Sequence, residues 1–202
     1  MGFDIDQILL LLATQLLALI SPGPAIMAIM QQSFAHGRGV GLRFGLGLAL
    51  AATLWAAFAF AGLSLVFAAL PWLFTALKLL GAAYLIWMAL QIWRGADRPV
   101  AAEGRKRLLG LPGGVLTNLA NPKAALYFSA VFVTIFPDPL ALSSQASILG
   151  LVLTLEVIVY TCFALIFTTQ TAKALYLRAK SGIDRLCSAA IGALGLSLIL
   201  NR

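Results

Sequence analysis

Three ionisable residues stand inside stretches that are otherwise apolar: Lys78, Lys123 and Glu156. A charge at mid-bilayer costs about 2.5 kcal/mol or more unless it is paired or hydrated, so each marks either a solute pathway or a compensated pair. Lys123 directly follows Asn121-Pro122, and a second interruption, Ser21-Pro22-Gly23-Pro24, cuts an apolar run from Ile5 to Met30. Proline has no amide hydrogen, so the carbonyls of Ala18 and Ile20 lose their helical partners at the first break, and Asn118 loses its partner at the second. In hydrocarbon such groups survive only where protein or a water-filled cavity takes them up. Ser21-Pro22 and Asn121-Pro122 each read as an N-cap residue followed by proline at the first helical position, the start of a half-helix. The chemistry on offer is anion binding: the free N–H groups and partial positive charge of two helix starts, reinforced by Lys123.

Each residue also has a plainer reading. Lys123 serves a solute, or it only pairs with Glu156 or a carbonyl. Lys78 lies about 9 Å of helix rise from Trp72, so its stem can reach interfacial water; otherwise it lines the pathway. Glu156, the one acid deep within a span and about 13 Å inside it if the span starts near Ser147, is either a proton carrier or a counter-ion to lysine. The Asn118 amide faces a substrate or the backbone. Gln15 and Tyr160 read as interhelical hydrogen-bonding groups, and Gly37, Gly41, Gly45 and Ala49, recurring every fourth residue, as a close-packing stripe.

The elements that must hold these residues follow from composition. The 202-residue chain is 61% hydrophobic and 10% charged, with a mean hydropathy of +0.98, which places it among integral membrane proteins. Several apolar runs exceed the roughly 20 residues of a spanning helix, and no ten-residue alternation recurs, which argues against a barrel. Met1 to Ile8 carries Asp4 and Asp6 but no base, unlike a cleavable signal peptide, so the first helix is expected to remain. Cuts at charged and Pro/Gly-rich breaks give six spans, about 5–35, 44–68, 72–93, 108–136, 147–170 and 184–200. Trp72 and Trp93 bracket the third at about 31 Å, near the hydrocarbon thickness.

The net charge of +7 is spread along the chain in a pattern. Arg38 and Arg43 fall in the first connection, Arg94, Arg98, Arg105, Lys106 and Arg107 in the third, and Lys173, Arg178, Lys180 and Arg185 in the fifth, so eleven of the fourteen basic residues lie in alternate connections. By the positive-inside rule those connections are cytoplasmic and both termini face outward. The excess of base therefore speaks for topology, and no nucleic-acid partner is expected. Three spans per half require any repeat to be inverted. The expected fold is an all-α integral membrane protein of six transmembrane helices in a 3+3 inverted repeat, with spans one and four broken at the proline motifs. Residues 1–202 form one transmembrane domain, with a first repeat over 5–93, a basic cytoplasmic linker over 94–107 and a second repeat over 108–202.

Four motifs then carry a resemblance: Ser21-Pro-Gly-Pro24, Gly37-Arg38-Gly39-Val40-Gly41-Leu42, Lys78-Leu-Leu-Gly81-Ala-Ala-Tyr84-Leu85 and Leu116-Thr-Asn118-Leu-Ala-Asn121-Pro-Lys123-Ala. In order and spacing, over nearly the whole chain, it resembles the LysE/RhtB amino-acid exporter family. The resemblance implies a secondary transporter that exports amino acids or close derivatives across the bacterial plasma (inner) membrane, driven by the proton gradient. Family members often carry asparagine where this chain has Ala25, and aspartate where it has Glu156. The first change removes a polar contact to the substrate; the second keeps a carboxyl.

The working assignment puts the substrate at Ser21, Pro22, Gly23, Pro24, Asn118, Asn121, Pro122 and Lys123. Its carboxylate would meet Lys123 and the half-helix starts, and its ammonium Glu156 or the carbonyls of Ala18, Ile20 and Asn118. Glu156 and Lys78 form a proton-coupling group or a charge pair. Partners are the small-molecule substrate, protons and the bilayer, with a homo-oligomer left open. No enzyme activity, cofactor or metal is expected. A nucleophile, base and orienting residue do not fall together, and one histidine with Cys162 and Cys187 makes a poor metal site. The competing readings are a passive channel, an exporter of another small solute or cation, and a transmembrane redox carrier, which would need cysteine at the breaks.

Overall fold

The computed structural model describes residues 4–21, 23–69, 71–98, 108–136 and 138–200. Pro22 and the basic residues Arg105, Lys106 and Arg107 lie outside the described residues, as do the side chains of Trp72, Lys78 and Pro122. Among the described residues the chain is all-helical, with no strand. Its helices are α1 (Ile5–Ile20), α2 (Pro24–His36), α3 (Arg38–Ala69), α4 (Pro71–Gly95), α5 (Gly110–Leu119), α6 (Pro122–Ile135), α7 (Leu142–Ile166) and α8 (Gln170–Leu200).

By length and composition, α3 up to Gly62 and α7 can each cross a membrane, and α1 with α2 makes a third such unit bent by 58° at its break. The outside of the bundle is apolar: Leu9, Leu46, Leu54, Phe58, Trp87, Leu90, Leu151 and Ile158 are all exposed. Gln15, Asn118, Asn121, Glu156 and Asp184 are buried instead. Apolar surface turned outward and polar groups turned inward is the distribution a lipid solvent selects.

Both proline breaks are present, but they are built differently. Asn121 caps α6 as expected, its side chain accepting from the Lys123 N–H at 3.1 Å, with Pro122 opening the helix. At the first break Ser21 is not an N-cap: it closes α1, and α2 starts at Pro24 with Gly23 in the cap position and no side-chain cap bond. The reason lies in the sequence. A residue before proline is forced out of the helical region, so Ser21 (ψ 122°) and Gly23 (ψ −178°) are both extended, and the helix can resume only after the second proline.

Three further expectations are corrected. α7 starts at Leu142, which puts Glu156 about 21 Å along it, near its middle, rather than about 13 Å from its start. Arg38 and Arg43 stand on α3, and Lys173, Arg178, Lys180 and Arg185 on α8, so these basic residues lie on long helices instead of forming loops. Gly37 does not pack: at φ 82° it makes the turn between α2 and α3, with open space where a side chain would be, a conformation glycine adopts without cost. Gly41 and Gly45 do pack, on Ser33 and on Ile29 with Tyr160.

The closest helix approach involves other glycines. A Cβ at Gly114 would run into the Phe44 carbonyl, and one at Gly47 into the Leu111 carbonyl, so α3 and α5 touch backbone to backbone. Small residues permit this contact where lipid supplies no hydrophobic drive between helices. Behind it, Phe128, Phe132 and Phe136 form a ladder along α6 at one-turn spacing, and Phe60 of α3 sits 4.4 Å from the Phe132 ring. This core fixes α6, and with it Lys123, relative to α3.

Candidate functional site

The carbonyls freed by proline all find donors. Lys123 Nζ donates to the Ala18 carbonyl at 3.1 Å and to that of Ser21 at 3.4 Å. The Tyr176 hydroxyl donates to the Ile20 carbonyl at 3.2 Å. The Asn118 carbonyl accepts from Trp55 Nε1 at 3.2 Å and from the Asn121 N–H at 3.0 Å. Each unmet carbonyl would cost about 1–3 kcal/mol, so these contacts are what makes the breaks tolerable. Lys123 thus ties the start of α6 to the end of α1, about a hundred residues away in sequence.

Lys123 and Glu156 are not paired. The described ion pairs are Lys180–Asp184 and Arg185–Asp97, and the Glu156 carboxyl instead accepts from Gln15 Nε2 at 3.0 Å. Of the alternatives for Lys123, the carbonyl contact is the one formed. An ammonium has three donors. Two are engaged here, and the third has no acceptor among the described residues.

Both groups line a cavity of about 50 Å³, room for a few waters but less than an amino acid. Ser21, Gly23 and Ala25 from the first break meet Asn118 and Lys123 from the second, and Gln15 and Glu156 close the space from α1 and α7. Tyr127, Phe128 and Tyr160 complete it with aromatic faces. The N–H groups of Ala25 and Ile26 belong to the first turn of α2, where helices leave donors without internal acceptors. The arrangement offers cationic and N–H donors on one hand and carboxyl and amide acceptors on the other, a pairing suited to a zwitterion.

The predicted residues divide accordingly. Ser21, Gly23, Asn118, Lys123 and Glu156 converge on the cavity. Pro24 and Asn121 shape the breaks, and Pro122 does so by its backbone position. The Asn118 amide donates to the Leu48 carbonyl at 2.7 Å, which makes it a tie to α3.

Sequence reasoning undervalued Gln15 and missed Asp184. Asp184 is buried, receives the Ser21 hydroxyl at 3.5 Å and pairs with Lys180 at 2.8 Å. The Lys180 ammonium also donates to the carbonyls of Gly95 and Ala96 at the end of α4, at 2.8 and 2.9 Å. The i, i+4 spacing of Lys180 and Asp184 was the available signal.

The LysE type translocator family matches residues 16–202, nearly the whole chain. The chain belongs to this family. It is a multi-pass membrane translocator and not an enzyme. It is 31% identical to the threonine efflux protein of Escherichia coli K12 over 198 residues, 93% of this chain and 94% of that one. The leucine efflux protein of Klebsiella pneumoniae is 26% identical over 196 residues, covering 94% of this chain and 91% of its own. The homoserine/homoserine lactone efflux protein of Salmonella typhi is 32% identical over 163 residues, 76% of each chain. No solved structure matches. The family resemblance read from the four motifs therefore holds.

Proposed function

We infer that this LysE-family chain is an amino-acid exporter of the bacterial plasma membrane, a secondary transporter that moves amino acids or close derivatives outward in exchange for protons. The observation that carries the reading is the cavity at the two breaks, where Lys123 presents an unused donor and Glu156 a carboxyl without a cationic partner. The substrate carboxylate binds Lys123 and the first-turn N–H groups of α2. Its ammonium binds Glu156, a carboxyl without a cationic partner, in preference to the neutral carbonyls of Ala18, Ile20 and Asn118, which already hold donors. Threonine, leucine and homoserine, the cargoes in the relatives' names, are the first substrates to try.

Six spans in a 3+3 inverted repeat frame this site, with 5–93 and 108–202 as the halves and both termini outside. Support comes from the broken pairs α1–α2 and α5–α6 at matching positions, and from α3 packing on α7 and α4 on α8, each against its counterpart. Transport is then a rocking of the halves about the breaks. Proteoliposome efflux of labelled threonine, leucine and homoserine, with and without an imposed pH gradient, tests the reading. Gradient-stimulated efflux of at least one is expected; efflux indifferent to the gradient would make the chain a passive channel, and none at all would reject the export reading.

A further inference from the structure

Gln15 on α1 and Glu156 on α7 are 1% and 3% exposed, and they meet through one hydrogen bond, Gln15 Nε2 to Glu156 Oε1 at 3.0 Å. The other polar atom of each group, Gln15 Oε1 and Glu156 Oε2, is buried with no hydrogen-bond partner in the protein. Both oxygens belong to one hydrogen-bonded pair, and an amide and a carboxyl are planar groups of matching span, so rotation about their terminal bonds can set the remaining oxygens side by side. Both are acceptors as long as Glu156 is ionised. Acceptors that find no donor cost about 1–3 kcal/mol each when buried, and this pair holds two of them beside a cavity that admits water or a ligand.

Two ligands supply the missing hydrogens. A proton on Glu156 Oε2 converts that atom to a donor toward Gln15 Oε1 and closes a two-bond ring. A primary ammonium entering the cavity donates one hydrogen to each oxygen, with Glu156 ionised. We propose that Gln15 and Glu156 form a single clamp that holds either a proton or a substrate ammonium group and never both, and that this exclusion couples export to the proton gradient.

The exchange balances. A carboxylic acid plus an alkylammonium gives a carboxylate–ammonium pair and one released proton, so the side chains lose one positive charge as a neutral zwitterion arrives. The surroundings favour exclusion. Lys123 of α6 opposes a second cation in the same cavity, and its ammonium is held on the Ala18 and Ser21 carbonyls. The other titratable neighbours are Tyr127 of α6, bonded to the Thr14 hydroxyl at 3.3 Å, and Tyr160 of α7. α2 and α3 bring only apolar side chains, Ala25, Ile26 and Ala52. Gln15 is accordingly a positioning residue for the proton and a binding residue for the ammonium.

The inference rests on Glu156 as the proton site of the exporter, and its test does not require transport. Full-length protein in nanodiscs is examined by infrared spectroscopy for a protonated carboxyl band that Glu156→Gln removes. Threonine, leucine, homoserine and methylammonium are then added in weak buffer with a pH indicator. The expected result is a band in the ligand-free protein that disappears on addition, with about one proton released per ligand bound and an apparent affinity that falls about tenfold per pH unit on the acid side. Gln15→Leu should move the band to higher frequency, because the acid loses its acceptor. A missing band, or one that none of the four probes alters, overturns the clamp, and both results come from the wild-type chain without relying on a variant folding. Threonine efflux with an unaltered band would sink the clamp and leave the export reading standing; a band that responds without efflux would do the reverse.

Discussion

Replacing Lys123 with methionine keeps the length of the stem and deletes the charge. In the structure the ammonium spends two of its three donors on the carbonyls of Ala18 and Ser21, at 3.1 and 3.4 Å, and the third faces the cavity. Loss of a charge-assisted hydrogen bond to a substrate carboxylate costs about 1.5–3 kcal/mol, which corresponds to roughly 10–150-fold in affinity. Loss of the two carbonyl contacts acts on the fold instead, at about 1–3 kcal/mol for each acceptor left dry.

The two effects separate experimentally. The structural effect appears as a lower melting temperature of the purified protein, the same with or without substrate. The binding effect appears only for ligands that carry a carboxylate. Threonine should lose about 10–150-fold in affinity in Lys123→Met, while threoninamide, a bare cation and weak already in the wild type, should hold or gain affinity once the like charge is gone. If both ligands weaken equally, Lys123 is only a strut between the two breaks, and the assignment of the substrate carboxylate is wrong.

Two further perturbations probe the frame. Gly114→Ala puts a methyl against the Phe44 carbonyl and within 2.9 Å of the Leu48 nitrogen, beside the Leu48 carbonyl that receives Asn118; overpacking of this kind costs about 1–3 kcal/mol, so the melting temperature and efflux should both fall. Gly150→Ala, with open space around it, is the control that should change neither, and equal behaviour of the pair would refute the close contact of α3 with α5. At the end of α4, hydrogen bonds from Ser181 and Arg185 hold the Asp97 carboxyl below the ordinary aspartate range. A lowered folded-state value makes this stabilisation complete above the unfolded-state value and lost as pH falls through the folded one. Asp97→Asn should therefore melt slightly below wild type at neutral pH and equal to it in acid; a gap that widens in acid would contradict the sign.

What could be read beforehand depended on whether a residue announces its own cost. Proline in an apolar run does so, since the missing donor has a definite address four residues back, and the acceptors named from that rule are the ones Lys123 and Tyr176 satisfy. Lys123 and Glu156 announce themselves by charge. Gln15 does not, because a neutral amide in a helix reads as packing until its partner is known, and that partner lies 141 residues away. Asp184 was hidden for another reason: with Lys180 one turn before it, the segment looked like the end of a cytoplasmic connection, whereas α8 runs unbroken from Gln170. A helix that keeps its hydrogen bonds loses nothing by leaving the hydrocarbon, so hydropathy marks where lipid ends and not where the helix does. The same distinction explains the mistaken cap at Ser21. Capping preference favours serine over glycine, but the preference operates only where the backbone can turn into a helix, and the second proline denies that until Pro24. Local chemistry thus located both breaks, while the constraint between successive prolines decided where α2 begins and so which N–H groups face the cavity.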